Sequence, residues 1–234
     1  MLVLTCLAHH MCEYKKDVAI RQGGWYPMFV VYRHAYGGVD KVMQAFAGTE
    51  HSEFMHCELY LPDSGGTFTI FKGRSMERWA NMPQLYIQKP HLFAWHLIPL
   101  NYDEYMRMHN WNVQEIALHC PYNFRDLMWQ ILPKEMRQYC VKDLGDNKSQ
   151  NPNRMFCSQA VILALRAACG GDGSRPRLLH FVHSMNSRLT TPSDLARMNT
   201  NYLGMSVNYG PVPTDAFAIG VWLQCAVRHM QQAM

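Results

Sequence analysis

The feature that most constrains the fold is a hairpin signal in the first third of the chain. FMHCELYL over Phe54–Leu61 reads as a strand. Pro62-Asp63-Ser64-Gly65-Gly66 is a cluster of turn residues, and TFTIF over Thr67–Phe71 reads as the returning strand. Strands joined this way pair antiparallel, because Pro, Asp and Gly accept the backbone angles a reversal needs. Alternation along the first strand places His56 and Glu58 on one face and Cys57 and Leu59 on the other.

Other segments fall into place around it. Trp25–Arg33 (WYPMFVVYR) and Leu92–Leu100 (LFAWHLIPL) are further strand candidates. Between Gly37-Gly38 and Gly48-Thr49, Val39–Ala47 carries Val39, Val42, Met43 and Phe46 at helical spacing. Residues 111–141 read as mainly helical, with breaks at Pro121 and Pro133. The polar stretch Asp143–Arg154 is a loop leading into Met155–Cys169 (MFCSQAVILALRAAC), the clearest helix in the sequence. Gly170–Arg177 is a second loop, and His180–Asn186 fits helix or strand. Thr190–Leu195 opens a short helix, with Thr191 or Ser193 as its cap and Pro192 in the first turn. A last apolar helix runs from about Ala216 to the end. Strands come first and helices later, which predicts an α+β fold. The expected division is an N-terminal extension over 1–24, one domain over 25–200, and a C-terminal extension over 201–234 whose helix packs on that domain.

Composition narrows the function classes. Of 234 residues, 48% are hydrophobic and 17% charged, with a formal net charge of +4, which excludes a disordered chain. No run reaches the roughly 18–20 apolar residues of a membrane-spanning helix. Met1–Ala8 is apolar but too short for a signal-peptide core, and it lacks a basic leader and a cleavage site. The expectation is an intracellular, cytoplasmic protein whose eight cysteines are thiols. Lys and Arg are dispersed, so nucleic acid is not an expected partner.

Cys157 stands in the first turn of the best helix, where unpaired backbone N–H groups and the helix dipole favour thiolate. A thiolate there suits a nucleophile. It equally suits a core position, since 157, 161, 164 and 168 share one face. His56 is the candidate base, and Glu58 beside it could fix its tautomer and stabilise the imidazolium. His51 competes as a base from the preceding loop.

Taken together, HSEFMHCELYLPDSGGTFTIFKG, FAWHLIPL, CPYNF, RMFCSQAVILALRAA and TPSDLARM resemble the circularly permuted NlpC/P60 group of papain-like cysteine enzymes. The resemblance extends over residues 28–198 and is strongest to versions carried by large DNA viruses. In that group the His-bearing strand precedes the Cys-bearing helix. It implies an antiparallel sheet packed on that helix, with Cys157 as nucleophile, His56 as general base and Glu58 at the acidic position. One departure stands out. Some bacterial relatives place an orienting polar residue on the returning strand, whereas here that strand offers Thr67, Thr69 and then Lys72, with no acid.

The implied chemistry is thiol-dependent hydrolysis of an amide-type bond in a peptide, amide or acyl substrate, through an acyl-enzyme. Backbone N–H groups near Cys157 and Ser158 would hold the oxyanion, with Asn153 a competing cap for the same groups. No cofactor and no metal are expected. The segment Cys6-Leu7-Ala8-His9-His10-Met11-Cys12 has soft ligands but no second pair at finger-like spacing. Two alternatives stand beside the hydrolase: a lipid acyltransferase or thioesterase of the same fold, with the helix from Ala216 as peripheral lipid contact, and an inactive structural or binding protein of a virion.

Overall fold

A computed structural model describes residues 24–38, 41, 53–71, 74–123, 136, 154–170 and 175–232. The N-terminal extension with its Cys6–Cys12 ligands, the helix expected over Val39–Ala47, His51, Asn153 and most of the 143–154 loop lie outside the described residues.

Six strands form one antiparallel sheet: β1 (Tyr26–His34), β2 (Phe54–Leu61), β3 (Gly66–Ile70), β4 (Met76–Trp79), β5 (Phe93–Leu100) and β6 (Asn208–Tyr209). Their spatial order is β4-β3-β2-β1-β5-β6. Six α-helices have bounds among the described residues: α1 (Met82–Gln88), α2 (Tyr102–Ala117), α3 (Cys157–Cys169), α4 (Pro176–Ser184), α5 (Pro192–Leu203) and α6 (Ala216–Gln232). The chain is therefore α+β, as its element order predicts.

The sheet is covered on both faces, which explains why its central strands are apolar almost throughout. Met28, Val30 and Tyr32 of β1 join a core with Leu59, Ile98 and helices α2 to α5. The intervening Phe29 and Val31 join a second core with Tyr60, Tyr86 of α1, Trp95, and Ile219 and Leu223 of α6. The C-terminal helix thus packs on the sheet, on the side away from α3.

The hairpin forms as expected, with its reversal made by a 3₁₀ turn at Pro62–Ser64 and Gly65 in the left-handed region at φ 66°. Three elements were not foreseen: β4, the two-residue β6 and the seven-residue α1. Helix α2 begins nine residues before the expected 111, because Asn101 and Glu104 form a reciprocal capping box. Pro176–Ser184 resolves the ambiguous segment as helix.

Helix α3 is buried on nearly every side, from Cys157 through Arg166. Such a helix must find partners for its polar groups inside the protein. Ser158 Oγ donates to Thr190 O at 2.6 Å, and Arg166 donates to Val182 O at 3.2 Å and Met185 O at 2.5 Å. Just upstream, Met155 is fixed by bonds to Pro121 O and from Asn123 N. These contacts hold the start of α3 in place against the sheet.

Candidate active site

Two local devices set the position of His56. The first is a register shift in the β1–β2 ladder: Arg33 pairs with His56 but His34 pairs with Phe54, leaving Met55 as an extra residue. A bulge of this kind re-aims the side chains around it. Phe54 accordingly joins the core with Cys57 and Leu59, although it shares even numbering with His56. The second is a tie at the strand's start, where Phe54 N donates to Ser193 Oγ of α5 at 2.8 Å. Thr191 caps α5 with a capping box to Asp194, so the Thr-Pro-Ser-Asp stretch both starts a helix and anchors the histidine strand.

Cys157 arrives from the other partner, as the first residue of α3. The N-cap position is Phe156, extended at φ −119° and ψ 174°, and it supplies no side-chain hydrogen bond. The first N–H groups of α3 are left to the helix end, where they favour negative charge.

The structure brings Cys157, His56 and Glu58 together. All three are buried, at 3%, 5% and 2% exposure. Cys157 and His56 are near enough for each to shift the ionisation of the other. His56 Nε2 lies 2.9 Å from Thr69 Oγ1 and 3.6 Å from Glu58 Oε2. Thr69 is therefore the hydrogen-bond partner of the ring, and Glu58 is an ion-pair neighbour just outside hydrogen-bond reach. Phe71 stacks on the imidazole with centroids 4.8 Å apart and planes 13° apart.

The electrostatics follow from these contacts. Burial alone would push the His56 imidazole down. The Cys157 thiolate, by charge and hydrogen bond, and then Glu58 reverse this and raise it to about 9. The Cys157 thiol is held well below its ordinary value. A hydrogen bond from the Cys57 thiol contributes most, burial opposes, and the charge and hydrogen bond of His56 add to the lowering. Cys57 itself is pushed up, first by burial and then by Cys157, so it remains a protonated donor.

Cys57 keeps the side that alternation gives it, in the core with Leu59 and α3, while Glu58 meets Tyr86 of the other core. Its proximity to Cys157 is what the sequence does not show. Cys157 influences both His56 and Cys57, which lie just beyond the β2–β3 pairing that runs from Leu61/Gly66 to Leu59/Phe68. Sequence reasoning also missed Tyr86, whose hydroxyl donates to Glu58 Oε1 at 2.7 Å and shares a 3.0 Å hydrogen bond with Thr67. Thr67 and Thr69 could be placed on one face by alternation; nothing local marks Tyr86.

Among the described residues, no group of three His, Cys, Asp or Glu side chains is placed to hold a metal ion, and no helix is long and apolar enough to cross a membrane. Comparison of the chain with protein-family models, curated proteins and solved structures gives no match.

Proposed function

We propose that the chain is a thiol-dependent hydrolase of permuted papain-like architecture, cleaving an amide-type bond through an acyl-enzyme on Cys157. The observation that carries this is the buried Cys157–His56 pair at a helix start without a side-chain cap. The thiol is held below its ordinary value and the imidazole above its own. Chain order supports the architecture, since the histidine strand precedes the cysteine helix and an antiparallel sheet packs against that helix.

In this reading His56 takes the thiol proton, giving a thiolate–imidazolium pair that Glu58 favours by charge and Thr69 orients. The thiolate attacks a carbonyl carbon, and N–H groups at the start of α3 donate hydrogen bonds to the developing oxyanion. His56 then protonates the leaving amine, and water releases the acyl group. The test is site-resolved alkylation. Cys157 should react with iodoacetamide at neutral pH faster than Cys57, Cys120, Cys169 and the exposed Cys225. Reaction no faster than that of Cys225 would remove the reading and favour a structural protein.

One observation favours the lipid-acting alternative: α6 turns Phe217, 82% exposed, and Val221, four residues on, to solvent. Flotation of the full chain and of residues 1–214 with lipid vesicles separates the readings. Equal behaviour removes the lipid one.

A further inference from the structure

Tyr86 reaches the site from the far layer of the molecule. It belongs to α1, in the core on the side of the sheet away from α3. Its ring is held edge-on by Tyr60, with centroids 5.7 Å apart, and by Phe93, at 5.0 Å. Only its hydroxyl engages the polar groups, donating to Glu58 Oε1 at 2.7 Å. A phenol has a single proton, so Thr67 Oγ1, 3.0 Å away, donates into the phenol oxygen.

Glu58 needs such a donor. It is 2% exposed, and its other oxygen, Oε2, has no hydrogen-bond partner. The Tyr86 hydroxyl is therefore what fixes this buried carboxylate beside the ring.

We propose that Tyr86 is a positioning residue for the Cys157–His56 pair, acting through Glu58: its phenol fixes the direction from which the carboxylate faces the ring. This rests on the thiol reading above. The chain of contacts is Thr67 to Tyr86 to Glu58 to His56. The other charged or titratable groups around His56 are Cys157 from α3, Cys57 on its own strand and Arg33, its register partner on β1, whose guanidinium lies over Phe71. Burial and then the Glu58 charge push the Tyr86 phenol well above its ordinary value, so it stays a donor across the working range.

The experiment is the pH dependence of Cys157 alkylation by iodoacetate, read cysteine by cysteine in the full chain. An anionic reagent reports the imidazolium as well as the thiolate. Wild type, Tyr86→Phe, Glu58→Gln and the double variant are compared. Tyr86→Phe keeps both ring contacts and removes only the hydroxyl. It should slow alkylation at pH 7 by roughly three- to tenfold and move the alkaline limb down by about half to one pH unit. In the Glu58→Gln background the same substitution should move the limb no further, which a role confined to fold stability would not produce. A Tyr86→Phe limb that superimposes on wild type, or one that shifts equally in both backgrounds, overturns the proposal. Should Tyr86→Phe fail to fold, Thr67→Val takes its place, with a smaller shift in the same direction expected and an unmoved limb counting against the proposal. If wild-type Cys157 alkylates no faster than Cys225, the thiol reading itself fails and the role of Tyr86 falls with it.

Discussion

Two histidines of this sheet are almost equally hidden and are driven in opposite directions. His56 on β2 is 5% exposed and His96 on β5 is 1% exposed. Burial removes water from both rings, which disfavours the charged form in each. For His96 that outcome stands, and its imidazole is lowered to about 4. Its partners are neutral hydroxyls: Tyr32 at 3.2 Å from Nδ1 and Thr200 at 3.1 Å from Nε2. Asn199 completes that network by donating to Tyr32 at 2.6 Å. His56 faces a thiolate and a carboxylate instead, and is raised to about 9. Burial thus decides the state of a histidine only where no opposite charge answers it. The first site ties β1, β5 and α5 together, while the second can hold and move a proton.

The largest effects should come from removing either half of the reactive pair. Cys157→Ala should abolish turnover and lower the His56 ring toward the behaviour of His96, visible by NMR titration of the two imidazoles. If His56 kept its raised value without the thiol, the contrast drawn here would be wrong. His56→Ala should reduce Cys157 alkylation at neutral pH by about 10²–10⁴-fold, because burial then acts on the thiol without the opposing imidazolium.

The pH profile comes next. His56 is raised, so the imidazolium persists through neutral pH and is lost as pH rises through about 9. Activity and iodoacetate reactivity should fall together there. An alkaline limb near the ordinary histidine value would mean that the pair does not form. Glu58→Gln should lower reactivity by roughly tenfold, and Thr69→Val by a few-fold, since one supplies charge and the other a neutral hydrogen bond. A silent Glu58→Gln with a damaging Thr69→Val would assign the orienting role to the returning strand.

The smallest effect on chemistry should come from His96→Leu, with Cys157 alkylation unchanged. Its cost lies in stability, about 1–3 kcal/mol, from hydroxyls of Tyr32 and Thr200 left without the ring. The pH dependence has a definite sign. The folded-state value lies below the ordinary 6.5, so the unfolded chain binds the proton first as pH falls. Stability tied to His96 is therefore present above about 6.5 and declines toward about 4, and this decline should disappear from the thermal denaturation of the variant.

Much of this arrangement was legible in the residues, and the boundary of legibility has physical causes. β1, β2, β5, α3, α5 and α6 are long or strongly patterned, so their periodicity shows. β4, β6 and α1 are too short to carry a period, and their pairing depends on neighbours far along the chain. The early start of α2 was written in Asn101 and Glu104, a local cap that outweighs the strand-like run before it. Cys157, His56 and Glu58 could be read because each sits in a regular element whose geometry fixes its direction. Cys57 lies on the side that alternation gives it, with Leu59, whereas Phe54 leaves the alternation because of the extra residue at Met55. Tyr86 was invisible because its hydroxyl reaches Glu58 only after both layers have closed on the sheet.

The enclosure of α3 bears on how the molecule comes apart. A helix wrapped by the sheet and by α2, α4 and α5 has no outer surface from which to fray, so its amides exchange with solvent only through opening of the entire core. Cys157 rides on this helix, so its sulfur should stay in place while peripheral elements open, and amide exchange in α3 should be the slowest to follow.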